Sequence, residues 1–169
     1  ATVEVARIVN ELAKLENKSL GTSVVPTTMT SGTTTNTVPA LATLDIDSRS
    51  FSLDEMQRID SAIRSITPIH PDARIEIAGG INRPPLETSA TLPLYQLAEK
   101  LAKDAGISSL GSASVGGASD GNFAGQFTQV LDGLGAVGDG AHANHEHILA
   151  SNLEPRSKLL TLLINEILK

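Results

Sequence analysis

The spacing of apolar and polar positions divides the first half of the chain into alternating helices and strands. Residues 3–16 place apolar side chains at helical spacing, which predicts a helix with one buried face. Residues 20–31 are rich in Thr, Ser and Val and predict an exposed strand, and the alternation over residues 37–47 predicts a half-buried one. Ser52, followed by Glu55 three residues later, predicts a capping box at the start of a second helix.

A further alternation at Arg74–Ala78 predicts a third strand, so the first half has the order helix, strand, strand, helix, strand. A split βαβ unit of the ferredoxin-like kind has the order strand, helix, strand, strand, helix, strand. The pattern therefore predicts a ferredoxin-like domain that lacks its first strand. It also indicates a chain that starts partway into a domain.

Glycine and proline then mark a boundary, and the second half alternates helices with short strands. Strands that alternate with helices imply a parallel or mixed sheet. Two strands make too small a sheet for helices of this length, so we expect this half to need further elements. The boundary lies at residues 79–85, and the elements predicted beyond it are a helix at about 89–105, a strand at about 108–113, a short helix opened by residues 116–120, a strand at about 128–134 and a final helix from Pro155.

Composition excludes several classes of function. The formal net charge of −6 argues against binding to a nucleic-acid backbone, which requires clustered Lys and Arg. No apolar run approaches the roughly 20 residues of a membrane span, and no secretory signal peptide opens the sequence. The chain has no cysteine, so a zinc site would have to use His and carboxylate ligands. We therefore expect no nucleic-acid or membrane partner, and a cytoplasmic protein.

The segment Gly138–His147 carries three of the four histidines of the chain, at positions 142, 145 and 147. Glycines loosen it, and Asp139 and Glu146 lie beside the histidines in the sequence. Imidazole is a common zinc ligand, so the segment is a candidate metal-binding loop. The histidine spacing matches no self-sufficient zinc motif, and solvated loop histidines are the alternative interpretation.

A second candidate is the turn at residues 116–120, with the sequence Gly-Gly-Ala-Ser-Asp. Its glycines permit a turn, and Ser119 or Asp120 is a suitable cap for the following helix. Alternatively, Gly116 and Gly117 let a substrate approach the backbone, whose N–H groups can hold an oxyanion or a carboxylate.

A third candidate pairs Asn36, at the start of the second predicted strand, with Arg49 near its end. The planar guanidinium group binds carboxylates in bidentate fashion, so the pair would suit a free amino-acid carboxylate. A solvated arginine after a strand is the alternative.

Taken together, these segments resemble the dizinc metallopeptidases that include glutamate carboxypeptidase, succinyl-diaminopimelate desuccinylase, acetylornithine deacetylase and aminoacylase. The order and spacing of the motifs agree over nearly the whole chain. The matching motifs are Gly-…-Asn-x-x-Pro followed by Asp-x-Arg over residues 32–49, Arg-Pro-Pro-Leu at 83–86, Gly-Gly-x-Ser-Asp at 116–120 and Gly-x-Gly-x-His at 138–142.

The resemblance implies an architecture and a set of site residues. Residues 1–82 would be a lid that forms homodimers, and residues 83–169 the C-terminal part of a zinc-binding α/β catalytic domain. By position in the motifs, His142 would be a zinc ligand, Asn36 and Arg49 would contact the substrate carboxylate, and Gly116 or Gly117 would line the pocket. The family pattern assigns no role to the other two loop histidines.

The resemblance also implies a reaction. Two zincs and a glutamate base would cleave a peptide or an N-acyl amino acid at the amide bond next to a free carboxylate, as in glutamate carboxypeptidase. The other metal ligands and the base would lie in an N-terminal segment that this chain lacks, so we expect the isolated chain to be inactive. The alternatives are a non-catalytic dimerisation or binding module, a proteolytic fragment, or a small metal binder that uses His142, His145 and His147 together.

Overall fold

The computed structural model describes all residues from Ala1 to Lys169. The chain forms two compact units, Ala1–Pro85 and Leu86–Lys169. The boundary expected from the sequence lies three residues earlier, between residues 82 and 83. Each unit is mixed α/β, with helices and a small antiparallel sheet, which confirms the predicted fold class. No helix combines the length and the apolar character that crossing a bilayer requires.

The first unit consists of two helices and one β-hairpin. Strand β1 pairs with β2 in an antiparallel register that sets Ser23 opposite Arg49 and Ser31 opposite Ala42. The elements are α1 (Thr2–Ala13), a short 3-10 helix (Lys18–Leu20), β1 (Ser23–Ser31), β2 (Ala42–Arg49) and α2 (Leu53–Arg64).

The core of the first unit lies between the helices and one face of the hairpin. Leu12 from α1, Val24 from β1 and Ile59 from α2 are buried together. A β-bulge interrupts the register between Pro26 and Thr28. The bulge accommodates one extra residue, which changes the face to which the following side chains point.

The predicted cap of α2 is only half formed. The Ser52 hydroxyl accepts the Glu55 N–H at 3.2 Å, as a capping box requires. The Glu55 carboxylate does not return to the Ser52 N–H, because it accepts the hydroxyl of Thr22 at 2.9 Å and two bonds from Arg58. Thr22 is 2% exposed, and a buried hydroxyl needs a partner. The tertiary contact therefore replaces the local one.

The strand predicted at Arg74–Ala78 is wrong. The segment pairs with neither strand of the first unit. The following residues are fixed through a side chain instead, since Arg64 Nη2 donates to the Gly79 carbonyl at 2.7 Å. A strand is defined by its ladder, and the alternating sequence cannot show that no ladder partner lies beside it.

The second unit is built on two long helices. Ala98 and Ala102 of α3 pack against Leu159 and Leu163 of α5, and the small alanines permit a close approach. The elements are α3 (Thr88–Asp104), α4 (Gly121–Ala124), β3 (Gly138–Asp139), β4 (His147–Ile148), a short 3-10 helix (Ala150–Asn152) and α5 (Leu153–Ile167).

The strands predicted at 108–113 and 128–134 are also wrong, and the expected parallel or mixed sheet does not form in this chain. Both segments are held by groups of α3. The Tyr95 hydroxyl donates to the Leu110 carbonyl at 3.1 Å, and the Val130 N–H donates to the Ala90 carbonyl at 2.9 Å. Each segment has one backbone group bound to α3 and no strand alongside, and both remain irregular.

Helix α5 buries only part of the apolar face that the sequence predicts. Leu159 and Leu163 lie in the core. The neighbouring positions remain accessible, from 42% exposure at Leu160 to 79% at Leu168. Helical spacing identifies the apolar face, but it does not show how much of that face the rest of the chain covers.

Candidate functional site

The histidine-rich segment forms the tip of a very short hairpin. Strand β3 pairs with β4 through Gly138 opposite Ile148 and Asp139 opposite His147. Two tight turns close the tip, because the Ala143 N–H donates to the Gly140 carbonyl at 2.8 Å and the Glu146 N–H donates to the Ala143 carbonyl at 3.0 Å. His142 therefore sits on a defined loop.

The two glycines before His142 are required by packing and by backbone conformation. A Cβ on Gly138 would overlap the backbone carbonyl of His147 in the paired strand. Gly140 has a φ of +74°, and a Cβ there would lie 2.7 Å from the imidazole of His145. A side chain at either position would disturb the hairpin that carries His142.

His142 is the only non-glycine residue in the chain with a positive φ, at 66°. L-residues reach this left-handed region at a cost of roughly 1–2 kcal/mol, and histidine is among the residues enriched there. Such strain clusters at functional sites. The backbone therefore supplies independent support for a special role of His142.

The other two loop histidines do not join His142 in a metal site. His147 Nδ1 lies 3.0 Å from the backbone carbonyl of His145, and all three histidines are exposed. No group of three or more His, Cys, Asp or Glu side chains is placed to hold a metal ion. The metal binder formed by all three histidines is therefore not present in this structure.

The turn at 116–120 is organised by its polar residues. The Ser119 hydroxyl accepts the Gly121 N–H at 3.1 Å, and the Ser119 N–H donates to the side chain of Asn122 at 2.8 Å. Asp120 occupies the N-cap position of the following helix but makes no side-chain cap bond, so of the two predicted caps only the Ser119 hydroxyl binds a helical N–H. A Cβ on Gly117 would meet nothing within 4 Å, which leaves open space beside the backbone there.

Arg49 ends β2 and lies on the same side of the strand as Asp47. Residues two apart in a strand project to one face, and Arg49 Nε donates to the Asp47 carboxylate at 2.8 Å. The two side chains are 61% and 46% exposed. An incoming carboxylate would meet an arginine that is accessible and oriented by a neighbouring acid. The sequence motifs do not indicate this ion pair between Arg49 and Asp47.

Asn36 and Arg49 lie at opposite ends of the first hairpin. Asn36 is exposed in the connection between β1 and β2, whereas Arg49 pairs with Ser23 at the far end. The seven residue steps of β2, at roughly 3.4 Å each, separate the two ends by about 24 Å. One copy of the chain does not bring both side chains to one carboxylate.

The family model of Peptidase family M20/M25/M40 matches residues 4–166, which include nearly all of both units and every candidate position described above. The chain belongs to this family. No curated protein matches the chain significantly. Peptidases of the M20 family are generally metal-dependent, typically on zinc. The residues of this chain do not by themselves fit such a metal, since His142 has no pair of further ligands beside it.

The sequence contained one signal for the short hairpin. Asp139-Gly140 is a turn dipeptide, and Gly140 begins the first of the two turns that reverse the chain. Two-residue strands are too short to show alternation, however, so the sequence predicts a loop where the structure has a paired hairpin.

Proposed function

We propose that this chain supplies the substrate-carboxylate site and one metal ligand of an M20 hydrolase that cleaves an amide bond next to a free amino-acid carboxylate. The observation that carries the proposal is the family match over residues 4–166. The glutamate carboxypeptidase-like branch, with a peptide or an N-acyl amino acid as substrate and two zincs in the complete site, is part of the proposal.

Arg49 is the proposed carboxylate anchor. Its guanidinium group is accessible and oriented by Asp47, and a planar fork of N–H donors matches a carboxylate. In this structure the Asp47 carboxylate accepts a hydrogen bond from Arg49 Nε. A substrate carboxylate would have to compete with Asp47 for the guanidinium group, so the acid affects the affinity for substrate as well as the orientation of Arg49.

Asn36 can serve the same carboxylate as Arg49 only if the two come from different copies of the chain. The hairpin holds them about 24 Å apart along β2, which is beyond the reach of both side chains. We therefore propose a homodimer through the first unit in which Asn36 contributes to the site of the partner. A two-fold axis would generate two equivalent composite sites.

His142 is proposed as a metal ligand, with the strained backbone as its support. Gly116 and Gly117 are proposed to line the substrate pocket, where Gly117 leaves the backbone approachable. The remaining ligands and the general base are proposed to come from a segment other than residues 1–169, because no metal-binding group is complete within them. The residues of this chain alone do not specify how a bound metal would take part in the reaction.

The proposal is tested by coexpression with the ligand-bearing N-terminal segment of another M20 peptidase. We expect hydrolysis of N-acyl-L-glutamate by the assembled pair and none by the chain alone. Blocking the substrate α-carboxylate as an amide should abolish the activity. An assembled, zinc-loaded pair that does not cleave N-acyl-L-glutamate would contradict the proposed hydrolase activity. A non-catalytic binding module would then be the explanation.

Mixed dimers test the composite site. Asn36→Ala and Arg49→Ala copies are each expected to be inactive as homodimers in the assembled enzyme. Random mixing should restore about a quarter of the wild-type rate, because half of the dimers are mixed and each has one intact site. Mixing without any recovery would show that the two residues do not share a site between copies.

A further inference from the structure

The second unit contains the three Asp-Gly steps of the chain, and the structure places one of them in a backbone environment unlike that of the other two. They are Asp120-Gly121, Asp132-Gly133 and Asp139-Gly140. An Asp-Gly step can rearrange without an enzyme, because glycine has no side chain to shield its amide nitrogen from the preceding carboxyl group. The nitrogen must first approach the side-chain carbon Cγ.

Two of the steps are already in this close arrangement. The Gly133 N–H donates to Oδ1 of Asp132 at 2.8 Å, and the Gly140 N–H donates to Oδ1 of Asp139 at 2.7 Å. Each amide nitrogen is therefore held beside the carboxyl group whose Cγ it would attack. Both glycines have a positive φ, and both aspartates are exposed to water.

The third step is held away from this arrangement. The Gly121 N–H donates to the Ser119 hydroxyl at 3.1 Å, and Gly121 begins α4. Asp120 has helical φ and ψ of −65° and −20°, and the nitrogen that would have to attack its side chain is committed to the cap. The three steps have the same dipeptide chemistry and differ only in geometry.

We propose that Asp132 and Asp139 are sites of spontaneous isoaspartate formation in the folded protein, and that Asp120 is protected. The glycine nitrogen bonds to Cγ, and its proton, one carboxylate oxygen and one proton from solvent leave as water. The resulting succinimide then takes up one water at either carbonyl. Opening at the α-carbonyl routes the main chain through the side-chain carboxyl group, so the mass of the protein is unchanged.

The site at Asp139 lies in the hairpin that carries His142. Conversion inserts one methylene group into the main chain between Gly138 and Gly140, in a strand with only two paired positions. The Asp139 pairing with His147 cannot survive this change in register. Modification would therefore loosen the His142 loop whether or not His142 binds a metal, so this inference is independent of the proposed function.

The test uses an endoproteinase that cleaves before aspartate but not before isoaspartate. The purified chain is incubated at neutral pH for several weeks, folded or unfolded in urea, and each of the three cleavages is followed by mass spectrometry. We expect cleavage at 132 and 139 to be lost on the order of tenfold faster than at 120 in the folded chain. In urea the three rates should be similar, because the backbone geometry is gone.

Asp132→Glu and Asp139→Glu are the matched controls, since the longer side chain would have to close a six-membered ring. Each variant should lose the reaction at its own position and keep it at the other. Equal rates at all three positions of the folded chain would overturn the proposal. So would the absence of isoaspartate at either Asp132 or Asp139, because the two share one geometry.

Discussion

The two hairpins of this protein carry its candidate residues in opposite ways. The first is long, and its strands lie on a core of Leu12, Val24 and Ile59, so its position depends on side-chain packing. The second has two paired positions and no buried side chain, and its shape depends on glycines and tight turns. The first separates its two candidate residues along its length, whereas the second presents one histidine at its tip in a strained conformation.

The difference shows two ways in which a fold can position a functional side chain, by core packing or by backbone conformation. A packed hairpin tolerates changes on its exposed face, so Asn36 and Arg49 are expected to be replaceable without loss of fold. A hairpin held by its backbone does not tolerate added atoms, even though it is exposed. The following predictions test this contrast, from the largest expected effect to the smallest.

Removing core volume should destabilise the first hairpin and leave the second unchanged. Leu12→Ala is expected to lower the free energy of unfolding of the first unit by about 2–5 kcal/mol, because Leu12 is fully buried. Leu20→Ala, at a half-exposed position, should cost much less. Amide hydrogen exchange after each substitution separates the two units. Faster exchange at residues 138–148 in the Leu12 variant would contradict the separation.

Adding one methyl group should disrupt the second hairpin. Gly138→Ala places a Cβ against the His147 carbonyl and is expected to cost about 1–3 kcal/mol locally. Gly117→Ala is the matched control, since its Cβ would meet nothing within 4 Å. NMR chemical shifts of residues 137–149 report the outcome. Unchanged shifts in the Gly138 variant would show that the glycine is not required.

Relieving the strain at His142 should stabilise the same hairpin. His142→Gly removes the cost of a left-handed L-residue and is expected to slow local exchange by an amount equivalent to up to about 1 kcal/mol. His145→Gly, where φ is not positive, should instead weaken the loop. A His142 variant no more stable than the wild type would remove the argument from strain.

Acid should destabilise the first unit through two carboxylates. Backbone N–H donation from His70, together with Arg7, holds the pKa of Glu4 below its ordinary value of 4.5. The Arg58 side chain, with the Thr22 hydroxyl, does the same for the pKa of Glu55. A lowered folded-state pKa gives stability that is present above the ordinary value and is lost as the pH falls through the folded value.

Denaturation curves collected from neutral pH down through the carboxyl range should therefore show a decline that Glu4→Gln and Glu55→Gln each reduce. We expect this effect to be the smallest of the four, because neither carboxylate is fully buried. A wild-type curve without such a decline would show that neither carboxylate stabilises the fold.

The long elements were predictable because amphipathic spacing is a property of one segment. Helices α1, α2, α3 and α5 follow directly from it. The strands expected at 74–78, 108–113 and 128–134 failed because a strand also needs a neighbour, and the alternating pattern says nothing about the neighbour.

The candidate site was predictable to a similar extent. The motifs identified His142, Asn36 and Arg49 as positions of interest. Three features depend on backbone geometry or register and could not be read from the motifs: the φ of 66° at His142, the ion pair between Arg49 and Asp47, and the separation of Asn36 from Arg49.

The most direct test of the central claim is the zinc content of the chain assembled with the ligand-bearing segment of another M20 peptidase, measured by elemental analysis. We predict two zincs in the wild type, a loss of bound zinc in His142→Gly even though the hairpin is retained, and no loss in His145→Ala. Zinc retained without His142, or lost without His145, would contradict the assignment of the strained histidine as the metal ligand.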